Sequence, residues 1–229
     1  DYVSPSPAAK ELSVIPGFVI RGTDAINQVA VTEGITDAGH NLRVFAPMGA
    51  TVTVQIVSSS PEVFGAVLTG TIEPGTVEDF PITELLDGEY TIFVSSDQPV
   101  FASAKAAFGN DGGTPRIEFA WLAAAEPITT PRAVVTSGVI PPEGASYLVL
   151  GNPSDQPRNA TVTSLETGAV TTVAVPALGT SLVGITGTSS VSSDSEIYGA
   201  VSLLLGGQIS SLAIYDPTNV GNSVQVRFR

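Results

Sequence analysis

The 229-residue sequence predicts an all-β protein made of two tandem antiparallel β-sandwiches of immunoglobulin-like size, related by internal duplication. Three observations carry this expectation. First, "SSDQPVFASAKAAFG", Ser95 to Gly109, aligns without a gap with "SSDSEIYGAVSLLLG", Ser192 to Gly206. Second, period-two alternation recurs between turn residues, as in Val52, Val54 and Ile56 against Thr51, Thr53 and Gln55. That is the pattern of a half-buried antiparallel strand. Third, the 23 glycines and 17 prolines accompany abundant Val, Thr, Ile and Ser, while the helix formers Lys, Met and Gln are scarce.

The elements follow in the same order in both halves. "NLRVFAPMGATVTVQIV", Asn41 to Val57, and "SYLVLGNPSDQPRNATVTSLE", Ser146 to Glu166, each contain an apolar strand, a proline turn and a strand with Ala-Thr-Val-Thr. "TGTIEPGTVEDFPI" and "VTTVAVPALGTSLVGI" each give two strands about a Pro/Gly turn. "PITELLDG" reads as the one helical turn, crossing between sheets. The Ser-Ser-Asp segments are expected as a turn leading into a hairpin, which closes with "RIEFAWLAAAEP" or "QISSLAIYDP". "FAWLAAAEP" has helical propensity, yet its place in the repeat makes it a strand end. The boundary falls in "AEPITTPRA", Ala125 to Ala133, giving units of residues 1–128 and 129–229. So short a linker implies a shared contact and a semi-rigid rod.

Composition excludes several functions. A net charge of −13 with only two lysines opposes binding to nucleic acid or anionic lipid, both of which require a basic surface. Without cysteine there is no disulfide framework, thiolate metal site or Cys nucleophile. "IYGAVSLLLGGQISSLAIY", Ile197 to Tyr215, is uncharged and long enough to span a bilayer. Its counterpart contains Lys105, and Gly206-Gly207 suits a two-residue turn, so two buried strands are expected and no membrane span. The start "DYVSPSPAAKEL" lacks the layout of a signal peptide, which places any targeting segment upstream.

Few residues offer chemistry. His40, the single histidine, sits in "TDAGHNL" and reads as a solvated turn residue. Glu78 with Asp79, and Asp194 with Glu196, are nearby carboxylates, but neighbours on a strand point to opposite faces and no aspartic-protease element occurs. "NDGG", Asn110 to Gly113, lacks the spaced acids of a calcium loop and reads as a hairpin turn. Trp121, Tyr147 and Tyr215 are the aromatics to nominate for stacking on a sugar ring, although alternation in its strand favours the core for Trp121. Acidity is concentrated in "EPGTVEDFPITELLDGE", where Glu73, Glu78, Asp79, Glu84, Asp87 and Glu89 occur without a basic residue. The corresponding stretch from Thr167 to Ser193 has no acid, which implies that the fold does not need these charges. This candidate interaction face reads as a solvated edge, or as a surface for a cationic partner or loosely held divalent cations. No catalytic, cofactor-binding or resident metal-binding residue is expected.

The ordered set "VIPGFVIRG", "LRVFAPMGATVTVQI", "LLDGEYTIFVSSDQPVFASA", "EFAWLAAAEP" and "YLVLGNPSDQPRNATVT" resembles a family of secreted or membrane-anchored actinobacterial proteins catalogued as a domain of unknown function. The likeness covers nearly the whole chain, as the C-terminal two-thirds of the family unit. It implies an extracellular or cell-envelope location, an anchor upstream and a further sandwich before residue 1. The family supplies no catalytic residues to carry over. The expected function is a non-catalytic cell-envelope module, a spacer or partner-binding scaffold for surface or envelope-polymer machinery, with an envelope protein or polysaccharide as partner. The alternative is a carbohydrate-binding or adhesive module, which an exposed Trp121 would favour.

Overall fold

The computed structural model describes residues 9–110, 116–135, 145–205 and 208–214. In order these form β1 (Lys10–Ile20), α1 (Thr23–Glu33), β2 (His40–Ala46), β3 (Ala50–Ser58), β4 (Ala66–Ile72), β5 (Thr76–Ile82), β6 (Gly88–Asn110) and β7 (Arg116–Ala123). There follow β8 (Arg132–Val135), β9 (Ala145–Asn152), β10 (Arg158–Ser164), β11 (Val170–Val175), β12 (Gly179–Gly184), β13 (Thr188–Ser193), β14 (Tyr198–Leu205) and β15 (Gln208–Ala213). The strand pairings are antiparallel, so the chain is nearly all antiparallel β, with one short helix among the described residues.

The long β6 belongs to two sheets. Its first half joins sheet I, in the order β4-β3-β6-β1, and its second half joins sheet II, in the order β5-β2-β6-β7. The rest of the chain forms sheet III, β11-β10-β13-β8, and sheet IV, β12-β9-β14-β15. Sheets III and IV repeat the orders of sheets I and II strand for strand, with β13 and β14 in the places of the two halves of β6. The in/out facing is kept while the register of the matched motifs moves by two residues: Ser95 lies opposite Thr53, the last residue of Ala50–Thr53, whereas Ser192 lies opposite Thr161, the second residue of Ala160–Thr163. In the first half of the chain, however, Ser-Ser-Asp is not a turn: it lies within the uninterrupted β6, whereas in the second half the strand breaks between Ser193 and Tyr198.

Each pair of sheets encloses a core. Val52, Val54, Ile92 and Val94 from sheet I meet Leu42, Val44, Ala102, Ala104 and Leu122 from sheet II. The second core gathers Ala160, Val162 and Val191 against Leu148, Leu150, Ile197 and Val201. Strand β1 fits its core through a bulge. Pro16 pairs with Thr91 and Phe18 with Tyr90, so Gly17 is the extra residue, at φ 77. That insertion reverses the parity of the strand and lets Ile15, Phe18 and Ile20 all reach the core.

The two pairs stack broadside, unlike the rod expected from the linker. Val14 and Phe93, on the outward side of sheet I, pack with Ala125, Tyr198 and Ala213. Thr180 Oγ1 donates to Val57 O at 3.0 Å. A Cβ on Gly17 would lie 2.5 Å from Ser211 Oγ, and one on Gly151 would lie 2.7 Å from Thr91 Cγ2. Sheet IV therefore lies on sheet I through glycine, alanine, serine and threonine.

Two further expectations differ. "PITELLDG" is no helical turn; after β5 it is an irregular crossing from sheet II to sheet I, with Glu84 at φ 63. The helix is α1, whose buried Ala25, Ile26 and Val29 face sheet II. Gly34, at φ 68, ends it in the left-handed cap that glycine favours. Ile197 to Ala213 contains the antiparallel strands β14 and β15; Gly206, Gly207 and Tyr215 lie outside the described residues, as do residues 111–113 of "NDGG". No helix among the described residues is long and apolar enough to cross a membrane.

Candidate binding face

The outward side of sheet II brings together side chains that alternate with the core. One row across the strands is Val77, Phe45 and Phe101; the next is Asp79, Arg43, Ser103 and Ala123; the third contains Asn41, Lys105 and Trp121. The Phe45 and Phe101 rings stack with centroids 6.0 Å apart. Arg43 donates from Nε and Nη2 to the two oxygens of Asp79, at 2.8 and 2.7 Å, and its guanidinium lies 5.2 Å from the centroid of the Trp121 ring. These bonds hold the Asp79 carboxyl below its ordinary pKa and raise that of Arg43. Trp121 is 45% exposed and Phe119 62% exposed. Trp121 is thus not a core residue: Ala120 and Leu122 occupy the core side of β7, which turns Trp121 outward.

Tyr147, half-buried on β9 of sheet IV, is not part of this face, and Tyr215 lies outside the described residues. Trp121 and Tyr147 therefore do not share a platform, and sequence reasoning missed Phe45, Phe101 and Phe119. The signal was present in Phe45, Phe101 and Phe119, each next in sequence to a residue of the core set, Val44, Ala102 and Ala120.

The acidic run does not form one face. Glu73, Glu78 and Glu84 are exposed, but Asp79 is held by Arg43. Asp87 closes the start of α1, accepting from Gly22 N at 2.9 Å and Thr23 Oγ1 at 3.1 Å. Glu89 is buried and paired with Arg21. Three of the six carboxylates thus have structural partners distant in sequence, contrary to the expectation that the fold has no use for them. Among the described residues, no group of three His, Cys, Asp or Glu side chains converges as a metal site.

His40 is not a solvated turn residue. It begins β2 opposite Ile82, meets the Phe18 ring edge-on at 5.6 Å and accepts a 3.0 Å hydrogen bond at Nδ1 from Ala107 N. The imidazole thus replaces a backbone acceptor where the β2–β6 ladder ends. Burial lowers its pKa from 6.5 to about 4, with Asp87 opposing and Lys105 adding to the shift. An unfolded chain takes up this proton near pH 6.5 and the folded chain only near pH 4. The stability contributed by neutral His40 is therefore complete above pH 6.5 and is lost as pH falls toward 4. The loss is at most about 3 kcal/mol. Urea unfolding at pH 7 and pH 4.5 should show a smaller pH dependence for His40→Gln than for the wild type; equal dependence would refute this role.

The chain matches no curated protein. Residues 1–186 of the 229 match the Family of unknown function (DUF5719), and the chain belongs to that family.

Proposed function

We propose that this chain is a non-catalytic cell-envelope module, a rigid scaffold that meets its partner through the outward face of sheet II. The observation that carries this reading is the exposed Trp121, held beside the Arg43–Asp79 pair. An exposed aromatic ring flanked by fixed donors and acceptors offers both apolar area and orientation to a ligand. The ordinary acid–base candidates have structural work: His40 is an acceptor in the fold, Asp87 closes a helix, and Glu89 pairs with Arg21. We take the chain as two tandem immunoglobulin-like sandwiches, residues 1–128 and 129–229, produced by duplication. The matching strand orders support this, and the change of core between Ala124 and Ile128 falls at the boundary, with Ile128 itself already packed in the second core. The extracellular setting rests on the resemblance of the ordered motifs, and fractionation of cells producing the native protein tests it.

The exposure of Trp121 also favours a second reading, in which the partner is an envelope polysaccharide whose sugar ring stacks on the indole. Trp121→Ala should weaken capture of the partner by about tenfold, equivalent to ~1.4 kcal/mol. Loss of polysaccharide retention in affinity electrophoresis would select the carbohydrate reading, and loss of only protein capture the scaffold reading. Unchanged retention of both would remove sheet II as the binding face.

A further inference from the structure

A second place on the molecule has the form of a ligand site and is separate from the Trp121 face. Where the start of β1 meets the loops of the second half there is a cleft of about 410 Å³, lined by Leu12, Pro153, Ser154, Arg158, Ser195 and Glu196. Its size lies within the range of small-molecule sites, roughly 300–1,000 Å³.

One wall is built to be rigid. Asn152 is fully buried and holds the β9–β10 loop from within: Nδ2 donates to Gln156 O at 2.8 Å and Pro176 O at 2.9 Å, and Oδ1 accepts from Ser154 N at 3.0 Å. Leu178 N donates to Ser154 O at 2.7 Å, tying the loop to the turn before β12. Arg158 begins β10 beside this wall, and its Nη2 is 3.3 Å from Ser154 Oγ. The ion pairs among the described residues are Arg21–Glu89, Arg43–Asp79 and Lys105–Asp37, so Arg158 faces the cleft without a carboxylate partner in a chain of net charge −13. Ser195 and Glu196 complete the polar lining, and Ser195 N is held by Ser193 Oγ at 3.2 Å.

The lining specifies its ligand by class. A guanidinium fork with free donors selects a carboxylate or phosphate. Glu196 repels a bare anion and accepts hydrogen bonds, so the same ligand must bring donors to it. Ser154 Oγ accepts from Gln156 N and Arg158 Nη2 and has its O–H left to donate, while Ser195 Oγ donates to Asp194 Oδ1 and has lone pairs left to accept. Leu12 and Pro153 offer an apolar wall that a small charged ion would leave unused. We propose that the cleft binds a carboxylated sugar of the uronate class: its carboxylate on Arg158, its hydroxyls on Ser154, Ser195 and Glu196, and the apolar side of its ring on Leu12 and Pro153.

Titration of the chain with methyl glucuronide, followed by calorimetry and by amide shifts of Ser154 and Ser195, tests this. Methyl glucoside supplies the ring without the carboxylate, and glycine supplies a carboxylate with an ammonium group and no ring. The glucuronide should bind at least about tenfold more tightly than either, the factor expected for losing one charge-assisted contact. Arg158→Gln should reduce that binding by about tenfold or more while leaving the unfolding midpoint near wild type, because the guanidinium's hydrogen bond to Ser154 Oγ is long, at 3.3 Å. Trp121→Ala should bind the glucuronide as wild type does, which separates this site from the sheet II face. Equal binding of glucuronide and glucoside, tighter binding of glycine, no glucuronide binding, or undiminished binding by Arg158→Gln would each overturn the assignment.

Discussion

Gly22→Ala is expected to destabilise the fold by roughly 3–5 kcal/mol, a large share of the stability of an ordinary domain. Gly22 has φ 66, and a Cβ there would stand 2.0 Å from Gly109 O. The obstacle is backbone and cannot rotate away. Gly109 is the mirror of this contact, since its own Cβ would lie 2.1 Å from Gly22 O, and Gly109 N donates to Arg21 O at 2.9 Å. The two glycines let the end of β1 cross the end of β6 and launch α1, where Asp87 caps the exposed N–H of Gly22. Gly34→Ala is the control. Gly34 has nearly the same dihedral, φ 68, but no atom within 4 Å of an added Cβ, so it should cost only about 1–2 kcal/mol. Urea midpoints of the two variants measure the difference. Equal losses would mean that strain alone acts at Gly22 and that the close crossing of β1 and β6 is wrong.

What could be read from the sequence follows from the range over which each signal acts. Alternation located the strands because it acts over a few residues: Val94 and Val191 each lie opposite a core valine, Val54 and Val162. Alternation in "RIEFAWLAA" identified a strand, but period two leaves open which side is the core, and Trp121 was assigned to the wrong one. The helix was hidden because Thr23 to Glu33 contains Val29, Val31 and Thr32, whose branched side chains are poor helix formers. Its signals were weaker: apolar residues at Ala25, Ile26 and Val29, and Gly34 just past the end. The acidic run misled for a different reason. Arg21 and Glu89 are 68 residues apart in sequence, and Arg43 and Asp79 are 36 apart, so no local window contains the partner that fixes each carboxylate. The cleft at Arg158 was likewise invisible, because Leu12 reaches it from the other end of the chain.

The broadside stack of sheets I and IV makes the second large prediction. Gly17→Ala places a methyl group 2.5 Å from Ser211 Oγ, 2.8 Å from Ser202 Oγ and 3.1 Å from Ala200 Cβ, at a residue with φ 77. Ser202 and Ser211 face each other across β14 and β15 and lie 3.2 Å apart, so neither hydroxyl yields without disturbing the other. The dihedral alone accounts for about 1–2 kcal/mol, and crowding adds roughly 1–3 kcal/mol. These two parts separate in a double-mutant cycle with Ser211→Ala, which removes the nearest obstructing atom from the opposite sheet. The strain must persist in the double variant, while part of the crowding must disappear. A coupling of at least about 0.5 kcal/mol, the size seen for residues in contact, is therefore expected between positions 17 and 211. Chemical unfolding of the four proteins at one pH supplies the cycle. Strict additivity would place these residues apart and undo the stack, leaving two pairs of sheets joined only through the chain between Ala124 and Ile128. Coupling would instead mean that the bulge of β1 serves two surfaces at once: it turns Phe18 and Ile20 into the first core, and its bare backbone receives the serine face of the second pair.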